Sequence, residues 1–88
     1  MTTYSTEDID HFYMPEEDFE NACDSIEQRW MQAGMPHDYR ETITDQDEQT
    51  VDVHFTHVTG SDGKRYANMK ATVVQDGFVI LEVNVSAL

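Results

Sequence analysis

The chain has 88 residues, of which 39% are hydrophobic and 10% aromatic, and it carries 18 acidic and 5 basic residues for a formal net charge of -13. A chain of this length buries only about 60 to 65% of its unfolded surface, which is enough for one small domain and excludes a second core. The negative charge disfavours direct binding to nucleic acid or to an anionic membrane, because the phosphates would repel it. We therefore expect the partners to be cationic.

Cysteine content and hydropathy bear on the cellular setting. The single Cys23 has no second cysteine with which to form a disulfide, a zinc site or a redox pair. No apolar run reaches the roughly 18 residues of a membrane span, and residues 1–10 lack the basic and apolar regions of a signal peptide. We expect a complete, cytoplasmic protein.

The chain begins with an N-terminal arm, residues 1–14. Ser5 or Thr6 is a candidate cap for a short helix that carries Ile9, Phe12 and Tyr13. Such a helix would fold back onto the element that follows it.

Residues 15–34 are predicted to form the main helix. Pro15 suits the first helical position, the acids that follow it suit the positive end of the helix dipole, and Gly34 suits a left-handed stop. Six apolar residues recur at steps of three and four and form one stripe: Phe19, Ala22, Cys23, Ile26, Trp30 and Ala33.

Residues 38–88 are predicted to form an antiparallel sheet, because the apolar period changes from 3.6 to 2. Three segments alternate clearly, at 51–56, 67–73 and 79–86. A weaker segment, 39–44, is a candidate fourth strand. Residues 60–63 form one predicted hairpin turn, and Asp76-Gly77 a second, tight two-residue turn.

These elements predict a single α+β domain of two layers, with the helix packed on one face of a three- or four-stranded antiparallel meander. The helix would pack through Phe19, Ile26 and Trp30 against inward residues of the strands, namely Val51, Val53, Phe55, Met69, Val73, Leu81 and Val83. The opposite face would carry Tyr66, Val74, Phe78 and Ile80, which form a surface for a homodimer, a surface partly covered by the N-terminal arm, or an exposed patch without function.

Nearly all of the charge imbalance lies in the first half of the chain. Residues 1–49 hold 14 acids and 2 bases, a net charge of -12, whereas residues 50–88 hold 4 acids and 3 bases, a net charge of -1. A uniformly acidic surface would charge both halves alike, so the asymmetry favours a localised acidic face.

The acids of the helix follow steps of four, four and three residues, which place Glu16, Glu20, Asp24 and Glu27 on one side. Carboxylates one turn apart are separated by about 5 to 6 Å, comparable with neighbouring phosphates on a nucleic-acid strand. The alternative is a face that only keeps the domain soluble. The candidate partner-binding residues are Glu16, Glu17, Asp18, Glu20, Asp24, Glu27, Asp45, Asp47 and Glu48.

The sequence contains little that favours catalysis or a cofactor. His54 and His57, three residues apart on a strand, point to opposite faces and cannot share one metal ion without a bulge. Cys23 lies in the apolar stripe and is expected to be a small buried hydrophobe rather than a nucleophile. Asp52 and His54 share a strand face, but no nucleophile accompanies them. We predict neither an enzyme nor a metal or cofactor site.

Two functional hypotheses remain open. In the first, the protein is an inhibitor that mimics nucleic acid and occupies the basic surface of a nucleic-acid-binding enzyme or defence complex, of the anti-restriction or anti-CRISPR type made by a phage or other mobile element. In the second, it is an immunity protein, adaptor or regulatory subunit that binds through its exposed sheet face. A small enzyme or metal-binding protein is the least favoured reading.

Overall fold

The computed structural model describes residues 14–45, 48–75 and 77–88. One helix is followed by four strands: α1 Glu16–Gln32, β1 Tyr39–Thr44, β2 Thr50–Thr59, β3 Arg65–Val73 and β4 Val79–Ala87. The strands form one antiparallel sheet in the order β1-β2-β3-β4, and α1 packs against one face of it. The predicted α+β layout is confirmed, including the weaker strand at 39–44. The predicted short helix of the N-terminal arm lies outside the described residues.

The helix begins one residue later than predicted. Pro15 is its N-cap, with φ -54° and ψ 140°, and the carbonyl of Pro15 accepts the first helical hydrogen bond from the Phe19 N–H at 3.0 Å. The ring fixes φ near the helical value, but the extended ψ keeps Pro15 itself outside the helix. Glu16 is therefore the first helical residue, and the three acids of the first turn still face the positive end of the dipole.

Gly34 ends the helix as the sequence predicts, with φ 93°. The Gly34 N–H donates to the Met31 carbonyl and the Met35 N–H donates to the Trp30 carbonyl, each at 3.0 Å. This is the Schellman arrangement, in which a left-handed glycine lets two terminal carbonyls find donors.

The core lies between α1 and the inward face of the sheet. Four helix residues are buried, and all of them belong to the predicted stripe: Phe19, Cys23, Ile26 and Trp30. The Trp30 ring stacks on Phe55 with a centroid separation of 4.7 Å, and its Nε1–H donates to the Pro36 carbonyl at 3.0 Å. Cys23 is buried as predicted.

Strand β4 departs from the predicted alternation because it carries two bulges. Ala71 pairs with Leu81 but Thr72 pairs with Val79, so Ile80 is an extra residue in β4. The bulge reverses the two faces at this end of the strand: Ile80 packs against the core, and Val79 is 41% exposed. The prediction that Ile80 lies on the outer face is therefore wrong. A second bulge lies at Val85.

The two hairpin connections differ in how closely they follow the prediction. At 60–63 the turn is confirmed, since the Gly63 N–H donates to the Gly60 carbonyl and Gly63 has φ 79°. The β3–β4 connection is longer than the predicted two-residue turn, because β3 ends at Val73 and the Gly77 N–H donates back to the Val73 carbonyl at 2.8 Å. Such a bond over four residues is an α-turn, which Gly77 closes with φ 75°.

Candidate functional site

The nine candidate binding residues fall into two regions of the fold. Six of them lie on α1: Glu16, Glu17, Asp18, Glu20, Asp24 and Glu27. Glu48 lies in the β1–β2 connection, where it is exposed and has φ 63°. Asp45 lies in the same connection, and Asp47 lies outside the described residues.

Asp45 has a structural environment unlike that of the other candidates. It is only 8% exposed, and its Oδ1 accepts a hydrogen bond from the Gln49 N–H at 2.8 Å. Its backbone N–H also donates to the Gln49 carbonyl at 3.0 Å. Asp45 thus closes the β1–β2 connection, and its carboxylate is not presented at the surface.

Four of the helix acids form one flank beside the buried stripe. Glu16, Glu20 and Glu27 are half-buried and Asp24 is exposed, which is the gradient expected where a helix surface turns from core to solvent. We call these four residues the acidic flank. Glu17 and Asp18 are exposed and extend the charge around the first turn.

The acidic flank lies on the side of α1 that faces away from β1. The helical period places Arg29 about 180° around the axis from Glu20, with the buried stripe between them. Arg29 reaches β1, where its Nε and Nη2 donate to both carboxylate oxygens of Glu41 at 2.7 to 3.0 Å. The single base of the helix is therefore directed away from the acidic flank and is paired with an acid of the sheet.

The pKa values of Glu41 and Glu27 are shifted in opposite directions. The pKa of Glu41 is lowered, first by the hydrogen bonds from Arg29 and then by the Tyr39 hydroxyl, which donates to Glu41 Oε2 at 2.6 Å. The pKa of Glu27 is raised, first by burial and then by the negative charge of Asp24. Glu27 is thus less readily ionised, whereas Glu41 on the sheet is a carboxylate stabilised by a cation.

A wider comparison separates the helix acids from the others. Within the part of the chain that the structure describes, none of the six carboxylates of α1 forms a hydrogen bond or an ion pair through its side chain. Five of the seven described acids beyond α1 do so: Asp38, Glu41, Asp45, Asp52 and Asp62. The remaining two, Glu48 and Glu82, are exposed. Most described acids of the sheet and its turns are held by hydrogen bonds within the fold, whereas the side chains of the α1 acids are not.

The outer face of the sheet is the second candidate surface. Arg40, His54, Lys70 and Glu82 lie opposite one another on the four strands, and the first three line a shallow groove of about 460 Å³. The Asp52 carboxylate at its floor accepts a hydrogen bond from Arg40 Nη1 at 2.8 Å.

Exposed apolar side chains lie close to this groove, at the β3–β4 connection. Val74, which lines the groove, is 58% exposed, and Phe78 is 45% exposed. Tyr66, at the far end of the same sheet face, is half-buried, and its hydroxyl donates to Asp62 at 2.5 Å. Of the four residues predicted on this face, these three lie where they form or border an open surface, and Ile80 does not.

The three histidines that the structure describes, His37, His54 and His57, do not assemble into a metal site. His54 lies on the outer face, where its Nε2 is 2.6 Å from Asp38 Oδ1, and His57 lies on the inner face, as the strand period predicts. Among residues 14–45, 48–75 and 77–88, no group of three or more His, Cys, Asp or Glu side chains is placed to hold a metal ion. None of the described helices is long and apolar enough to cross a membrane.

Sequence reasoning missed two sets of contacts: the Arg29–Glu41 pair, and the contacts that His37 and His57 make with each other and with Met35. The first had a usable signal, since Arg29 is the only base of α1. The second had none, because it depends on where β1 stops pairing with β2.

Comparison with known proteins adds no relative. No protein-family model matches the sequence, and neither a curated protein nor a solved structure is significantly similar to it.

Proposed function

We propose that this protein is a small acidic inhibitor whose helix α1 occupies a basic, nucleic-acid-binding surface of a partner protein. The observation that carries the proposal is the set of six helix carboxylates without a partner among the described residues, on an element whose only base is paired with Glu41. A charged group that is already solvated and unpaired needs to break no internal contact when it meets a cation.

The dimensions of the acidic flank suit this role. Glu16 and Glu27 are eleven residues apart, so the flank extends about 16 Å along the helix axis. Its carboxylates follow one another at about one helical turn, which is comparable with the spacing of phosphates along one strand of nucleic acid. Because α1 is anchored by the stacked Trp30, this row is presented by a rigid element and needs little ordering on binding.

Charge also predicts how the complex forms. A formal net charge of -13 on 88 residues accelerates the encounter with a cationic surface and makes the association rate fall steeply with added salt. The expected partner is a nuclease, polymerase or defence complex whose groove binds a phosphate backbone.

A capture experiment tests the proposal directly. The immobilised protein is incubated with host extract at low and at high salt, and the retained proteins are challenged with duplex DNA or RNA. We expect a nucleic-acid-binding protein that is retained only at low salt and is displaced by nucleic acid. Retention that is insensitive to both would contradict mimicry.

Matched variants then locate the surface on the captured partner. The double variant Glu20→Lys, Asp24→Lys should weaken binding by about tenfold or more. Two attractive contacts between carboxylates of α1 and cations of the partner would become repulsive. The control combines Glu82→Lys with Thr59→Lys and Ser61→Lys, which changes the net charge by the same amount at exposed positions of the sheet and its turns. We expect this control to change binding by less than about threefold, because only long-range steering is lost. Equal effects of the α1 variant and the control would show that net charge, and not α1, is responsible.

The second candidate function is an interaction module that binds through the outer face of the sheet. It is favoured by the groove between Arg40 and Lys70 and by the exposed Val74 and Phe78 at its end. Under this alternative, Val74→Ser with Phe78→Ser would abolish binding, and Glu20→Lys with Asp24→Lys would not.

A further inference from the structure

The connection between α1 and β1 is attached to β2 by histidine side chains. The last pair of the β1–β2 register is Tyr39 with Phe55, and two more residues in the same register would bring His37 opposite His57. The backbone leaves the sheet instead, because Asp38 takes a left-handed conformation with φ 64°. The His57 N–H, which continued pairing would have satisfied, donates to His37 Nδ1 at 3.0 Å.

The contacts of these two rings define their protonation. The Met35 carbonyl can only accept, so His57 Nε2, at 2.9 Å, must carry the proton and donate it. The Arg65 guanidinium can only donate, so His57 Nδ1, at 3.2 Å from Nη2, must carry a lone pair. His57 is therefore the uncharged Nε2–H tautomer. His37 accepts a hydrogen bond at Nδ1, so this nitrogen carries no proton; a proton there would place two donors, Nδ1–H and the His57 N–H, against each other.

We propose that His37 and His57 form a clasp that holds the α1–β1 connection on β2, and that one half of this clasp, the bond from the His57 N–H to His37 Nδ1, opens in mildly acidic solution. A proton on His37 Nδ1 would face the His57 N–H, and a proton on His57 Nδ1 would face the Arg65 guanidinium. Each replaces an attraction by a repulsion between donors. The proposal concerns a conformational property of the fold and does not rest on the proposed inhibitor function.

The charged groups around the clasp act in two directions. Arg65 on β3 opposes a charge on His57. Asp38 attracts a charged His37, and it also accepts the hydrogen bond from His54 and lies 3.7 Å from Arg40 Nε. Acid therefore releases the connection at His37. The bond from His57 Nε2–H to the Met35 carbonyl and the Asp38–His54 contact stay closed, because a further proton leaves each of these donors in place.

The consequence reaches the helix through Trp30. Its indole N–H donates to the Pro36 carbonyl, which lies between the two clasped residues Met35 and His37. When the His37 bond opens, Pro36 is attached to β2 on the Met35 side only, so the position of its carbonyl relative to the indole changes. The environment of the only tryptophan in the chain reports the change.

Amide exchange of the full-length protein tests the proposal. The protection factor of the His57 amide, corrected for the intrinsic rate at each pH, is measured between about pH 7.5 and about pH 5.5, the range in which an imidazole ordinarily becomes charged. We expect a loss of about tenfold, as for the removal of one hydrogen bond, together with a shift in Trp30 fluorescence. Unchanged protection of His57 over this range would overturn the proposal.

A double variant separates the imidazoles from the carboxylates. H37N supplies an amide oxygen in place of Nδ1, and H57Q supplies an amide N–H in place of Nε2–H, so the clasp is retained without titrating. We expect the protection of the position-57 amide to vary by less than about twofold over the same range. A tenfold loss in the double variant would assign the effect to other groups and refute the clasp.

Two further measurements keep the test decisive. His54→Asn removes the histidine of the outer face, and the loss of His57 protection in acid should persist in it; its disappearance would contradict the proposal. If the double variant does not fold, the ring ¹⁵N shifts of the unaltered protein decide the matter. They should show His57 as the Nε2–H tautomer at about pH 7.5, and a charged or Nδ1–H ring there would overturn the assignment.

Discussion

Replacing Trp30 by phenylalanine is expected to remove a large fraction of the folding free energy. The side chain is fully buried, stacks on Phe55 and donates to the Pro36 carbonyl. Phenylalanine keeps a stacked ring but leaves that part-buried carbonyl without its donor, which costs about 1 to 2 kcal/mol, and leaves the space of the missing ring, which costs about 1 kcal/mol. We expect a loss of about 2 to 3 kcal/mol.

The size of the loss can be judged against the whole domain. A chain of 88 residues is stable by about 4 to 13 kcal/mol, so the variant should remain folded with a melting temperature lower by roughly 8 to 24 °C. Because the only tryptophan is removed, urea unfolding is followed by circular dichroism. Met31→Leu, one residue away and 47% exposed, is the control and should change stability by less than about 0.5 kcal/mol. A loss below about 0.5 kcal/mol for W30F would refute the assigned role of the indole.

Three further changes test other parts of the structure. Ile80→Thr should lower the free energy of unfolding in urea by about 1 to 2 kcal/mol, whereas Val79→Thr should be nearly neutral, because the bulge turns only Ile80 to the core. The opposite order of effects would show that β4 pairs with β3 without the bulge. Gly60→Ala should destabilise the hairpin, since the added Cβ would lie 2.7 Å from Tyr66 Cε2, and thermal melting at or above the unaltered value would contradict this close approach. Glu27 has a raised pKa, so its contribution to stability is present in acid and is lost as pH rises through that pKa. Glu27→Gln should therefore be neutral or stabilising near neutral pH, and a loss of stability there would refute the direction of the pKa shift.

The helix and the antiparallel meander follow from local rules that the sequence displays openly. The apolar stripe of α1 and the glycine at its end are set by a 3.6-residue period and by a left-handed backbone position, and neither depends on distant contacts. The meander follows similarly, because short connections between period-2 segments leave neighbouring strands antiparallel. These features were predicted correctly.

The bulge at Ile80 could not be predicted in this way. Val79, Leu81, Val83 and Val85 continue the alternation without a break, and the extra residue becomes visible only when β4 is paired with β3. A one-residue shift reverses the faces of a strand, so an error of this kind changes which side chain is available for binding. It removes Ile80 from the outer surface that the sequence had assigned to it.

The candidate site divides in the same manner. Spacing alone places Glu16, Glu20, Asp24 and Glu27 on one side of a helix, and no tertiary contact is needed to predict that flank. The burial of Asp45 depends on the folded β1–β2 connection, in which its carboxylate caps the Gln49 N–H. Composition treats the two kinds of acid alike, and only the folded chain distinguishes an acid that closes a turn from one that faces solvent.

That distinction bears on why the acids of α1 are where they are. Acids that only keep a domain soluble need no particular position and are least costly when they are dispersed, because like charges at steps of three and four residues on a helix oppose folding. The acidic flank is concentrated instead, and the pKa of Glu27 is raised first by burial and then by the negative charge of Asp24. Pairing with external cations would turn this repulsion into attraction. A partner's basic surface would therefore stabilise the fold as it binds, and the gain should be largest in unfolding experiments at low salt.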